Sequence, residues 1–369
     1  METYQTMKKK LVFLSNIAAP YQVAFAPELN KYYETQFWFY DKIGSRPAYW
    51  DVALNEQCRV LDNVYLKKRE KYLTFTLTQQ LDQFDPDIVL LGGMAIPANY
   101  LAYRWARKRK KKVVIFTERF RDKNGKLRRR GPYMNTLRWL YRKADLIMVS
   151  DEDIIAQFKD ELKFKNKILA SRYPSDIDKY FKHPERTLNE GVTIIFPNRL
   201  IPIYNPLGAL EIFKELQKEY PNIRLLMNDD GEQKPDCVKY ILTHGLQNNV
   251  TFLDNIKNWN DLDEIYRRSD IMLLPAKFSN GNFTIIEAMA SGMGIVISDK
   301  VLGVGNMIEN NENGFKGTED TATMKAAIKK YLEQPDLLHQ HAVLNRGKVK
   351  HLGGAGTAQM YYELLQQHL

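Results

Sequence analysis

Residues 270–299 read DIMLLPAKFSNGNFTIIEAMASGMGIVISD. A continuous apolar run ends in a polar loop that holds one glycine, a stretch of helix formers runs to Gly292, and a second apolar run follows. Short apolar runs bounded by turn residues are the pattern of strands buried on both faces. Strand, helix and strand in thirty residues make a βαβ unit, and so a parallel sheet.

The same alternation extends in both directions. In the first half, strands are expected at 10–16, 35–40, 87–93, 112–118 and 145–151, separated by helical segments such as PANYLAYRWARKRK and PYMNTLRWLYRKA. After the polar stretch HPERTLNEG (183–191), which reads as a linker, strands restart at 192–198, 223–229, 249–255, 270–276 and 294–299. No repeat of solenoid or propeller spacing is present. The chain of 369 residues exceeds one ordinary core. It is expected to fold as two Rossmann-like α/β domains with parallel sheets facing a cleft, 1–185 and 186–355, with the amphipathic segment 356–369 packing back on the first. Ligands of such sheets sit beyond the C-terminal strand ends. The segments of interest are therefore Asn16–Gln22, Gly92–Ala95, Thr117–Arg121, Asn198–Leu200, Asp229–Gly231 and Lys277–Phe283.

Composition narrows the classes. Hydrophobic content of 44% and charged content of 27% are those of a globular chain. No apolar run approaches the ~20 residues of a membrane span. The N-terminal METYQTMKKKLVFLSN reads as a first strand and not as a signal peptide. Cys58 and Cys237 lie far apart without CxxC spacing, which suits a reducing, cytoplasmic setting. The net charge of +10 is uneven: residues 1–190 carry 36 Lys and Arg against 23 Asp and Glu, and the remainder 18 against 21. The excess lies in RWARKRKKK (104–112) and ERFRDKNGKLRRRG (118–131). Such a field suits an anionic membrane face, a pyrophosphate-linked acceptor or nucleic acid, or is simply a solvated basic face. Nucleic acid ranks last, because no recognition motif or patterned basic–aromatic platform is present.

In the opening stretch, the loop Ser279-Asn280-Gly281-Asn282 leads into a helix beginning near Phe283 and Thr284. A helix N-terminus offers free backbone N–H groups and about half a positive charge, which suits a diphosphate. Glu287 could then accept from ribose hydroxyls. Equally, Thr284 and Glu287 form a capping-box pattern that would satisfy only their own backbone.

These segments together resemble the retaining family 4 glycosyltransferases of GT-B fold. In the second half the resemblance rests on IIFPNRL (194–200), LLMNDDGE (225–232), NNVTFLDNI (248–256), LDEIYRRSDIMLLP (262–275), IIEAMASGMGIVISD (285–299) and GVGNMIENNENGFKG (303–317). In the first half it rests on NIAAPYQVAF (16–25), DPDIVLLGGMAIPANYLA (85–102), VVIFTER (113–119) and ADLIMVSDE (144–152). The resemblance implies a donor domain for UDP- or GDP-sugar in the second half, an acceptor domain in the first, and transfer with retention. Arg199 fills the position of the family's diphosphate-binding arginine, and Asn255 joins the donor-side residues. Two positions depart from the family. Tyr204 stands where the second diphosphate cation would be, and Ser279, or Asn280 in a shorter register, stands where a glutamate contacts the transferred sugar.

Negative charge develops on the leaving diphosphate as the glycosidic bond breaks. Lys277, Arg119 and Arg121 are candidate substitutes for the absent lysine, and Lys277 is equally read as a solvated surface residue. Glu118 could bind acceptor hydroxyls or act as a base, or else pair within the basic loop. Asn16, Pro20, Tyr21, Gly93 and Arg119 are the acceptor-side candidates, although Asn16, Pro20 and Tyr21 could equally close the first helix. The histidines begin at His183, so no histidine contact to the donor sugar comes from the chain before it. No Asp-x-Asp is placed for a nucleotide-bound cation: Asp85–Asp87 precedes its strand, Asp151–Asp153 reads as a helix start and Asp229–Gly231 as a strand-end turn. No metal or cofactor is expected, the nucleotide sugar being a substrate. The leading expectation is a hexosyltransferase in surface polysaccharide biosynthesis, cytoplasmic and peripheral at the inner membrane face, acting on a glycan or pyrophosphate-lipid acceptor. The alternative is a weak or inactive GT-B module that binds nucleotide, glycan or a partner enzyme.

Overall fold

The computed structural model describes residues 8–67, 71–120, 132–185, 188, 191–254, 256–279 and 283–369, the side chains of 132–134 excepted. Among these residues two compact units separate, one holding 8–120, 132–176 and 352–369, the other 177–351.

In the first unit, β1 (Lys10–Ile17), α1 (Pro20–Asn30), β2 (Glu34–Asp41) and β3 (Cys58–Val60) are followed by α2 (Leu77–Phe84), β4 (Ile88–Gly92), α3 (Pro97–Lys108) and β5 (Lys112–Thr117). Next come α4 (Pro132–Arg142), β6 (Leu146–Val149), α5 (Glu152–Ala156) and β7 (Ile168–Ala170). The seven strands form one parallel sheet in the order β3-β2-β1-β4-β5-β6-β7. Successive side chains of a strand face opposite ways, so each strand feeds two cores. Val12 and Leu14 of β1 join Val89, Leu91, Val113 and Ile115 beneath α2, α3, α4 and α5. Leu11 and Phe13 join Leu90, Val114 and Phe116 on the other side, beneath α1. The chain returns after the second unit as a helix, Gly354–His368, whose Ala358, Tyr361 and Leu365 complete that second core.

The second unit contains β8 (Thr193–Phe196), α6 (Pro206–Gln217), β9 (Arg224–Met227), α7 (Lys234–Thr243), β10 (Val250–Phe252) and α8 (Asp261–Arg267). It continues with β11 (Ile271–Leu274), α9 (Phe283–Ser291), β12 (Gly294–Ser298), β13 (Phe315–Gly317), α10 (Thr321–Glu333) and α11 (Pro335–Val349). The returning helix of the first unit is thus α12. The sheet is parallel in the order β10-β9-β8-β11-β12-β13. All four residues of β11 and all five of β12 are buried, which is why their sequences read as unbroken apolar runs.

In both sheets the strand order reverses beside the first strand, between β1 and β4 and between β8 and β11. The flanking connections leave in opposite directions there and open a crevice at the C-terminal strand ends.

Several expectations are corrected. The three-residue strands β3, β7 and β13 end their sheets, and none stands out as an apolar run. The first strand runs one residue beyond the expected 10–16, so Asn16 lies within β1. The two units divide between residues 176 and 177, and the start of the supposed linker is anchored in the second unit. There Tyr180 packs on Tyr266 with ring centroids 5.0 Å apart, and His183 hydrogen-bonds Ser291 and Asp263, each at 2.8 Å. Arg121 and the rest of the basic loop 121–131 lie outside the described residues.

Candidate functional site

At the crevice of the second unit, the loops after β8, β9 and β11 lock onto one another. Backbone N–H groups of Lys277 and Phe278 donate to the Ile203 carbonyl at 2.9 and 3.4 Å, and the Leu200 N–H donates to Asp230 O at 2.7 Å. Gly231, at φ +147°, lies against the Leu200 backbone so closely that a Cβ would come within 2.3 Å of its carbonyl oxygen. Only glycine permits that approach. Arg199 donates from Nε to Asp230 Oδ2 at 2.6 Å, and its side chain is 56% exposed. Its guanidinium therefore stands at the strand ends with donors facing solvent. Thr284, at the start of α9, donates to Asn198 Oδ1 at 3.4 Å and ties the helix N-terminus to the loop after β8.

Glu287 lies in the second turn of α9, not the first, and is almost fully buried. Its Oε2 accepts the Tyr266 hydroxyl of α8 at 2.7 Å. The far end of the same helix is held by Arg346, whose guanidinium donates to the carbonyls of Ala290 and Ser291 at 3.2 and 3.1 Å. A guanidinium is favourable at a helix C-terminus, where the carbonyls lack intrahelical partners.

Ser279 is buried, and its backbone bridges to the segment after β12: its N–H donates to Lys300 O at 3.1 Å and its carbonyl accepts from Leu302 at 3.0 Å. Lys277 is exposed just past β11. Phe283 opens α9, whereas Asn255, Asn280, Gly281 and Asn282 lie outside the described residues.

In the first unit, Glu118 follows β5 and accepts the Tyr173 hydroxyl on Oε1 at 2.5 Å. Burial, and after it the Glu118 carboxylate, holds the Tyr173 phenol well above its ordinary range. The same two causes, in the same order, raise Tyr21, with Arg46 opposing. Arg46 lies over Trp50 at 5.9 Å, and Trp50 meets Tyr21 edge to face at 6.3 Å. Two neutral phenols, a carboxylate and an indole thus gather at the ends of β1 and β5. Such a set can hydrogen-bond and stack on a hydroxyl-rich ring.

The other first-unit candidates have local duties. Pro20 is buried at the first position of α1, where its fixed φ favours a helix start. Asn16 Oδ1 accepts from Ser15 at 3.3 Å. Gly93 takes φ +83° and accepts from Asn99 Nδ2 at 2.6 Å. Arg119 is almost buried, with Nη2 3.9 Å from Asp153. Asp151 is the N-cap of α5 and accepts from the Asp153 N–H at 3.0 Å, a helix start as its sequence suggests. Among the described residues no group of three or more His, Cys, Asp or Glu side chains is placed to hold a metal. Among the same described residues no helix is long and apolar enough to cross a membrane.

Sequence reasoning did not single out Tyr266, Tyr173, Arg46 or Trp50. Each meets its partner across 21 to 55 residues or from a loop without periodicity, so only the Tyr266–Glu287 pair carried a signal, both residues lying in segments of the family resemblance.

Residues 178–346 match the family model described as Glycosyl transferases group 1. The chain is 31% identical over 126 residues to an uncharacterized glycosyltransferase of Haemophilus influenzae, 34% of this chain and 35% of that one. It is 24% identical over 245 residues to the alpha-D-kanosaminyltransferase of Streptomyces kanamyceticus, 65% of this chain and 56% of the relative. The matches thus span less than two thirds of these relatives. Solved structures align over nearly the whole chain. A glycosyltransferase of Rickettsia africae gives a TM-score of 0.75 at 16% identity, covering 98% of both chains. Anabaena Alr3699/HepE in complex with UDP gives 0.73 at 14% identity, covering 98% of this chain and 100% of the other. At such identities the likeness is one of fold, the GT-B arrangement of two Rossmann-like domains.

Proposed function

Because the chain carries a domain of the glycosyl transferases group 1 family over residues 178–346, we propose that the protein transfers a sugar from a UDP- or GDP-sugar to a glycan or lipid-linked acceptor. The second unit binds the donor and the first unit the acceptor. The observation that carries this reading is the crevice between β8 and β11, where Arg199 and the start of α9 meet at the strand ends, joined by Thr284 and Asn198. Arg199 and the helix N-terminus hold the diphosphate, which gains charge as the bond to the sugar breaks. Glu287, oriented by Tyr266, takes the ribose hydroxyls. Lys277 supplies a further cation, and residues 279–284 with Asn255 complete the donor site. The transferred sugar keeps its anomeric configuration, and no metal takes part.

Glu118, with Tyr21 and Tyr173 as neutral donors, binds the acceptor hydroxyl, and Asn16, Pro20, Gly93 and Arg119 shape the surrounding loops. The acceptor belongs to surface polysaccharide assembly and is presented at the cytoplasmic membrane face. A second reading, a nucleotide- or glycan-binding module with weak or no turnover, is favoured by Ser279. That residue is buried and bridged to the segment after β12, so it does not replace a glutamate at the sugar.

Transfer and hydrolysis measured over a panel of UDP- and GDP-sugars with short glycan and polyprenyl-pyrophosphate acceptors test the proposal. Turnover that falls in Arg199→Ala and Glu118→Gln supports the enzyme. Nucleotide or glycan binding without turnover on any pair supports the module, and binding of neither overturns both.

A further inference from the structure

The outer surface of α2, α3 and α4 encloses a groove of about 700 Å³ that the proposed chemistry does not use. Five cationic side chains and one carboxylate line it. The carboxylate, Asp82, is already engaged by Arg109 and by the Trp105 indole N–H at 2.7 Å, and Arg107 pairs with Asp145 at 3.5 Å. Arg104, Lys108 and Lys143 have no carboxylate within ion-pair distance among the described residues. Two large aromatics on the same groove stay in water, Trp139 at 50% and Tyr100 at 37% exposure. Lys143 lies over Trp139 at 4.5 Å and Arg104 over Tyr100 at 5.9 Å.

We infer that this groove is the contact by which the protein seats on an anionic bilayer, Arg104, Lys108 and Lys143 meeting lipid phosphodiesters and Trp139 and Tyr100 entering the headgroup layer. The inference deepens the proposed function by naming the surface on which acceptor and enzyme meet, and it rests on that reading only for the acceptor. Charge complementarity selects the partner, because three cations that no described carboxylate pairs favour a dense array of phosphates within a Debye length. Exposed Trp and Tyr are the side chains that prefer a membrane interface, having an apolar body and a polar edge. A single-stranded nucleic acid would need free aromatic faces for base stacking. Here one face of each exposed ring already carries a cation.

The test is cosedimentation of the full chain with phosphatidylcholine vesicles, with and without phosphatidylglycerol, at low and high salt. Binding should require the anionic lipid and weaken with salt. Each lost cation should weaken it about five-fold, so Arg104→Glu with Lys143→Glu should weaken it about 25-fold or more. Trp139→Ala should weaken it at every salt concentration. Arg104→Gln and Lys143→Gln, which add no charge, serve where reversal disturbs the fold. Equal binding to neutral vesicles, binding unmoved by these variants, or displacement from vesicles by single-stranded RNA overturns the inference. Nucleotide affinity of the same variants, measured by calorimetry, should be unchanged. Failure of vesicle binding with nucleotide binding intact removes only this surface, whereas vesicle binding without nucleotide binding removes only the transferase reading.

Discussion

The Tyr266 hydroxyl donates to Glu287 Oε2 at 2.7 Å, joining α8 to the helix whose N-terminus faces the strand ends of the second unit. A hydrogen bond to a buried carboxylate is worth about 1.5–3 kcal/mol. Tyr266→Phe should lower unfolding stability by about that amount, read from denaturant midpoints, and should weaken nucleotide binding less than Glu287→Gln does. A Phe variant with unchanged stability and affinity would show that Tyr266 does not position the carboxylate.

Arg199 separates stability from binding. Its ion pair with Asp230 lies between side chains 56% and 41% exposed, and such pairs contribute about 0–1 kcal/mol. Arg199→Ala should therefore leave the melting temperature nearly unchanged. Loss of a charge-assisted contact to the diphosphate should nevertheless weaken nucleotide-sugar affinity about 10- to 100-fold, by the same 1.5–3 kcal/mol. Calorimetric titration alongside thermal unfolding checks both halves, and a large fall in melting temperature with unchanged affinity would contradict them.

How much of this was legible follows from where each signal lies. The centres of β4, β5, β11 and β12 announce themselves because strands buried on both faces are apolar throughout, and the crevices then follow from parallel topology. Arg199 and Glu118 were reachable as residues just past strands, and Glu287 as the one acid on the helix that follows the loop after β11. Their partners were not, since Tyr173 lies 55 residues from Glu118 and shares no period with it. His183 misled in the opposite way: HPERTLNEG is polar and linker-like, yet His183 is buried between Ser291 and Asp263. Polarity reports exposure only while a polar group lacks buried partners.

The two thiols give a pH-dependent prediction. Burial pushes Cys58 up to about 12, and burial, then Asp236, pushes Cys237 up to about 11. A thiol with a raised folded pKa contributes stability that is fully present below its unfolded value, about 8.5. That contribution is lost as pH rises through the folded values. Neither thiol should react with an aromatic disulfide reagent near pH 8 until denaturant is added, and the urea midpoint should fall progressively above about pH 8.5. A rapid stoichiometric reaction in the native state would refute the burial of at least one thiol.

Tyr361 decides how α12 is held on the first unit. It is fully buried, meets Phe25 edge to face at 5.3 Å, and donates its hydroxyl to the Arg172 carbonyl at 3.2 Å. Truncating a large buried ring costs about 3–5 kcal/mol, through lost transfer energy and the cavity left behind. One neutral hydrogen bond contributes about 1 kcal/mol. Tyr361→Ala should therefore lower the denaturant midpoint several times more than Tyr361→Phe does. Comparable losses in the two variants would make the Arg172 hydrogen bond, not ring packing, the principal tie. The packing account also requires that Leu365→Ala, in the same buried cluster, reproduce most of the Tyr361→Ala effect, at about 2–5 kcal/mol.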